Sequence, residues 1–145
     1  MIRPSCVVLL LLLSGPASAA ECTRHDLDAV DAALDHLKSW SSIADAYRRF
    51  HKCIDEYISE GFSESIARMF ADHWQQVAEL IALGRKTPGL ETFVVKHLDE
   101  TINLADAQKI SDLARHSCPK GAKSLCRRID AQLGDPANVV AVDAT

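Results

Sequence analysis

The chain has 145 residues, about a quarter of them charged, with 16 basic against 20 acidic side chains and a net charge of −4. That acidic balance, with no basic tract interleaved with aromatics, excludes a surface built to track phosphates. The length suits one domain around a single core.

The first twenty residues read as a secretory signal peptide: Arg3, an apolar run from Cys6 to Leu13, the breaker Ser14-Gly15-Pro16, then small residues from Ala17 to Ala20. The run is too short to cross a bilayer, and no second long apolar run follows, so no membrane span is expected. Cleavage before Glu21 leaves 125 residues with a net charge of −5, because Arg3 is the one charge removed. Ala19-Ala20-Glu21 ahead of Cys22 does not suit lipid attachment, and neither Asn103 nor Asn138 starts a glycosylation acceptor. The expected division is a leader over 1–20, a helical domain over 21–134 and a flexible C-terminal tail over 135–145.

Cys6 leaves with the leader, so four cysteines remain: Cys22, Cys53, Cys118 and Cys126. In an oxidising compartment they should form disulfides, with three pairings open. Cys118 and Cys126 are close in sequence, which favours their pairing and leaves Cys22 for Cys53. There is no Cys-x-x-Cys, so a thiolate metal site is not expected.

Apolar residues recur at helical spacing almost throughout, and no stretch alternates like a strand. Thr23 caps the first helix with Asp26 in capping-box spacing. Its stripe is Leu27, Val30, Leu34 and Leu37, closed by Trp40-Ser41-Ser42. A second helix is predicted over 43–59, with Ile43, Ala46, Tyr47, Phe50, Ile54, Tyr57 and Ile58 inward and Gly61 as its stop. Ser63 is the predicted cap of a long third helix carrying Ile66, Phe70, Trp74, Val77, Leu80 and Ile81, ended by a left-handed Gly84. Thr87-Pro88 starts a fourth, with Leu90, Phe93, Val94, His97 and Leu98 on its face. Asn103 or Thr101 caps a fifth, with Leu104, Ala107, Ile110 and Leu113 inward, stopped by Cys118-Pro119. A last helix buries Ala122, Leu125, Cys126, Ile129 and Leu133 and ends at Gly134. The tail includes Val139-Val140-Ala141-Val142, which is apolar enough to dock on the body. The expected fold is all-α, a compact bundle of five or six helices stapled by two disulfides. Glu64–Arg68, Arg68–Asp72 and Asp45–Arg49 stand at ion-pair spacing along these helices.

Six histidines are scattered: His25, His36, His51, His73, His97 and His116. No His-Glu-x-x-His or Glu-x-x-His motif occurs. His51–Asp55 and Asp112–His116 have i,i+4 spacing, which reads as surface ion pairing before metal binding. His73 and His97 adjoin apolar stripes and read as half-buried histidines with hydrogen-bond partners. Gly61-Phe62-Ser63-Glu64-Ser65 has the outline of a nucleophile elbow, but its second glycine is missing and no strand precedes it. A helix stop followed by a cap explains it. No catalytic residue, metal or cofactor is assigned.

The charges are polarised. Asp28, Asp31 and Asp35 share one side of the first helix, with Glu21 and Asp26 nearby. Arg115, Lys120, Lys123, Arg127 and Arg128 make a basic end. Solvated helix faces are the plain explanation of each run. The alternative makes Asp28, Asp31 and Asp35, or Lys120, Lys123, Arg127 and Arg128, a docking surface, since rim charge speeds encounter and selects partners. Most aromatics fall on core stripes, while Trp40 and Phe62, at predicted helix ends, are the candidates for exposed anchors.

An export signal, a helical domain, paired cysteines and no catalytic constellation point to a non-enzymatic binding protein with a protein partner. The Ala-rich cleavage site and missing glycosylation acceptor lean toward a bacterial envelope. Cys53 within the second helix and the Ser117-Cys118-Pro119 turn are the residues nearest to a family pattern. In architecture the mature chain resembles the small helical periplasmic immunity proteins of type VI secretion systems. That resemblance implies a stoichiometric inhibitor that plugs a toxin's cleft sterically and electrostatically, without reaction chemistry. The site candidates come from the residues themselves. A second reading is a carrier or sensor of a small apolar ligand. The chain departs from the six-cysteine pattern of insect odorant-binding proteins, and nothing in its apolar content demands a cavity. A third is a small envelope hydrolase using His73 or His97 with a carboxylate.

Overall fold

A computed structural model describes residues 22–134. The segments expected to be a leader and a tail, with Val139–Val142, lie outside the described residues. Those described fold as seven α-helices and one 3-10 turn, with no strand. The elements are α1 (Arg24–Leu34), α2 (Trp40–Phe50), α3 (Glu56–Asp72), a 3-10 turn (Trp74–Gln76), α4 (Val77–Lys86), α5 (Leu90–Lys96), α6 (Leu104–His116) and α7 (Lys123–Gly134). The all-α expectation holds, with one or two more helices than predicted. Cys22 is bridged to Cys53, and Cys118 to Cys126.

The caps explain where most helices begin. Thr23 caps α1 as expected: the Asp26 N–H donates to the Thr23 hydroxyl, and the Thr23 N–H donates to the Asp26 carboxylate at 3.0 Å. The Thr23 hydroxyl, donating to the Asp26 carboxylate at 2.7 Å, and after it the Thr23 N–H hold the Asp26 carboxyl below its usual range. Ser39 and Ser42 form a second capping box, so Trp40 opens α2 instead of closing α1. Asp55 caps α3 through the Ile58 N–H, and Asn103 caps α6 through the Asp106 N–H.

Helix α3 lies at the centre, packed on α1, α2 and α6. It buries Ile58, Phe62, Ile66, Met69 and Phe70. Trp40 meets Phe70 edge-on at 4.7 Å between ring centroids, and Phe62 meets Phe93 edge-on at 5.2 Å. Each such fully buried side chain contributes about 1.5–3 kcal/mol.

Several boundaries differ from expectation. The predicted 43–59 helix is two helices, divided by a connector that holds Cys53. Gly61 and Ser63 do not stop and cap helices, because α3 runs through both. A good cap six residues before Gly61 lets packing override one poor helix former. The long third helix breaks instead at His73, where Trp74 turns to donate its indole N–H to the Ser117 carbonyl at 2.8 Å. Gly84 lies inside α4, while Gly89 takes the left-handed backbone, with φ at 87°. Thr87 ends α4, and α5 starts at Leu90, after the Pro88-Gly89 turn. Leu104, predicted inward, is 66% exposed. Glu64–Arg68 pairs as expected at 2.5 Å. Asp45 pairs with Arg48, leaving the Arg49 guanidinium over the Phe50 ring, and Asp72 pairs with Lys109 of α6.

Candidate functional site

An open cleft of about 1170 Å³ lies between α1, α3 and the loop entering α6. One face of α3 forms its floor and far wall: Tyr57, Glu60, Gly61, Glu64, Ser65 and Arg68 follow helical spacing down that face. Asp31 and Asp35 stand on the opposite wall, and Lys38 on the connector beyond. Ile102 and Asp106 close one end. Gly61 sets the spacing of the walls. A Cβ there would stand 2.6 Å from Leu34 Cδ1, so a side chain at this position would push α1 or its leucine away.

The cleft carries five carboxylates against two cations. Glu64 is paired with Arg68, and Asp106 accepts from the Asn103 side chain at 2.6 Å. Asp31, Asp35 and Glu60 have no ion pair among the described residues, and neither has Lys38. Asp31 and Asp35 are one turn apart, and so are Glu60 and Glu64. Like charges at that spacing oppose helix formation by a few tenths of a kcal/mol each. Tyr57, predicted for the core, is 68% exposed at the rim. Ser65, in the middle of the α3 face, is 6% exposed, and its hydroxyl makes no hydrogen bond within the described residues.

The predicted acidic face therefore divides. Asp31 and Asp35 belong to the cleft, whereas Asp28 is exposed outside it. The basic end divides as well. The Arg128 guanidinium donates to Glu91 of α5 at 2.7 Å, and Arg115 donates to Asp130 of α7 at 2.6 Å. Those two arginines fasten helices together. Lys120, Lys123 and Arg127 are exposed on the surface, without an ion pair among the described residues. Trp40 and Phe62, the anchor candidates, are fully buried: Trp40 opens α2 with its ring against Phe70, and Phe62 lies on an inward face within α3.

Sequence reasoning missed Tyr57, Glu60, Glu64 and Ser65. Their common face was readable from the 57-60-61-64-65-68 spacing. It needed Asp55 to be recognised as the cap that sets the helix phase.

The histidines stay apart. His51 ends α2 and Asp55 precedes α3, so the two do not share a helix face. Asp112 and His116 lie exposed on α6, beside a shallow groove of about 620 Å³. His97 is buried among rings, 4.1 Å from Phe93 and 5.9 Å from Phe62 by centroid. Its Nδ1 lies 2.8 Å from the Phe93 carbonyl, and its Nε2 is buried without a partner. Burial holds the imidazole below its usual range, against the opposing pull of the Phe93 carbonyl and Asp99. A base enclosed in this way does not reach a substrate. His73 ends α3, half-buried. Ser63 is fully buried and donates to Asp99 at 3.1 Å, tying α3 to the loop before α6. No group of three or more His, Cys, Asp or Glu side chains comes together as a metal-ligand set among the described residues.

The chain matches no protein-family model, no curated protein and no solved structure. The site must therefore be argued from its own geometry. What that geometry offers is an open, polar, negatively charged groove with one exposed aromatic on its rim.

Proposed function

We propose that the protein is an exported, non-enzymatic binding protein that docks a protein partner through the α1–α3 cleft. It would act as an immunity-type inhibitor of the bacterial periplasm, occluding the partner sterically and electrostatically. The observation that carries this reading is the cleft itself: unpaired Asp31, Asp35 and Glu60 beside an exposed Tyr57. Aromatic rings at the edge of a charged surface are suited to anchoring a protein. The charge accelerates encounter with an oppositely charged partner.

Export is supported by two features, the apolar N-terminal run and the two disulfides. An open groove lined with carboxylates suits a macromolecular surface better than a small apolar ligand, so docking is preferred to a carrier role.

The test places a photo-crosslinking amino acid at position 57 and irradiates the producing cells. The expected product is one protein adduct of defined mass in the exported fraction. Adducts with small apolar molecules alone would contradict docking and favour the carrier.

A further inference from the structure

The geometry points to an arginine-bearing segment as the occupant of the α1–α3 cleft, with its guanidinium held between the two acidic walls and against the Ser65 hydroxyl. This rests on the docking reading above and names the chemistry that the site selects.

Three observations converge on it. First, the unpaired carboxylates stand on both walls, Asp31 on α1 and Asp35 at its C-terminal cap on one side and Glu60 on α3 on the other. A single cation between them relieves repulsion along both helices. Second, Ser65 is a polar side chain more than nine-tenths buried on the cleft face, with no internal partner. Its hydroxyl is not among the fully enclosed unpaired atoms, so its small accessible area faces the groove. A buried hydroxyl without a partner costs stability until a donor or acceptor reaches it. Third, the resident cations leave the charge uncompensated. Arg68 is taken by Glu64, and Lys38 alone faces the remaining carboxylates.

Arginine fits this arrangement better than lysine. Its planar fork has five donors, enough for carboxylates on two walls and a hydroxyl at once, whereas an ammonium is a point charge with three. Tyr57 at the rim adds a ring face on which a guanidinium or its stem can lie.

The probe is a synthetic arginine-rich helical peptide, titrated into the oxidised protein at low and moderate salt and followed by nuclear magnetic resonance. The expected footprint covers Asp31, Asp35, Glu60 and Ser65. Asp35→Lys combined with Glu60→Lys should weaken binding about ten-fold or more, and raised salt should weaken it too. Asp28→Lys, a reversal of half that charge on α1 outside the cleft, should stay within about two-fold. Ser65→Ala, which removes only the hydroxyl, should weaken the arginine peptide about three-fold and its lysine counterpart less. Circular dichroism checks that each variant folds. A loss from Asp28→Lys that reaches half the free-energy cost of the cleft pair would overturn the proposal, since the net field alone would then explain binding. So would a footprint elsewhere, or an unchanged affinity in Ser65→Ala. A concentration-dependent dimer abolished by Lys123→Glu with Arg127→Glu would overturn it as well, by making a second copy the occupant. The two readings fail separately. A partner crosslinked at position 57 but indifferent to Asp35→Lys removes the arginine and leaves docking. A cleft-bound peptide with no crosslinked protein partner does the reverse.

Discussion

The acidic α1–α3 cleft and the basic α6–α7 end start alike in the sequence, as short runs of like charge on helices. The fold treats them differently. At the basic end two arginines bridge helices, Arg128 to Glu91 and Arg115 to Asp130. In the cleft Asp31, Asp35 and Glu60 line a groove without an ion pair among the described residues. A charge run is thus not a functional signal in itself. What separates a structural run from an available one is whether opposite charges come within reach in three dimensions.

The contrast can be broken or sharpened by substitution. The largest effect should come from the bridge that anchors the cleft's first wall. Cys22→Ser with Cys53→Ser opens a 31-residue link and should lower unfolding free energy by about 3–4 kcal/mol in urea titrations. Cys118→Ser with Cys126→Ser, spanning 8 residues at the basic end, should cost less, about 2.5 kcal/mol. The reverse ranking would mean that the α6–α7 pair, and not α1, depends on its staple.

A structural arginine and a free lysine should also differ. Arg128→Ala removes a half-buried bridge and should cost about 1 kcal/mol after solvent screening. Lys123→Ala should stay within about 0.5 kcal/mol, and parity between the two would dissolve the distinction.

A pH effect falls on neither region, and so serves as an internal control. Above about pH 6.5 the His97 imidazole is neutral in both the folded and the unfolded chain. Below that, the unfolded chain takes up a proton that the folded chain resists, so stability falls as the solution is acidified through this window. His97→Gln should flatten that part of the curve in thermal melts. A slope left unchanged would place the titrating group elsewhere.

Much of the fold was legible. The capping box at Thr23 and the Asn103 cap form as their spacing indicates, and Ile110, Leu125 and Ile129 are buried as expected. Breaks were misplaced where a local signal competed with packing. Gly61 looks like a stop, yet α3 continues because its neighbours Phe62 and Ile66 are core residues and the missing side chain admits Leu34. Trp40 looks like a closing residue, yet Ser39 and Ser42 make it an opening one. Half the site was legible as well. Asp31 and Asp35 were visible as an acidic face, but their counterparts Glu60, Glu64 and Ser65 depend on the phase of α3, and that phase was lost when two helices were merged. Nothing local distinguishes Arg128 from Arg127, because the partner that sets them apart, Glu91, lies 37 residues away.

The most direct measurement is the association rate of the partner captured at position 57, followed against ionic strength. It needs the unaltered protein, the Asp35→Lys/Glu60→Lys variant and the Lys123→Glu/Arg127→Glu variant. Docking in the cleft predicts association that slows as salt rises, a rate at least about ten-fold lower and nearly salt-independent for the cleft reversal, and a change within about two-fold for the basic reversal. A rate lost on reversing Lys123 and Arg127, and kept on reversing Asp35 and Glu60, would put the interface at the other end of the molecule.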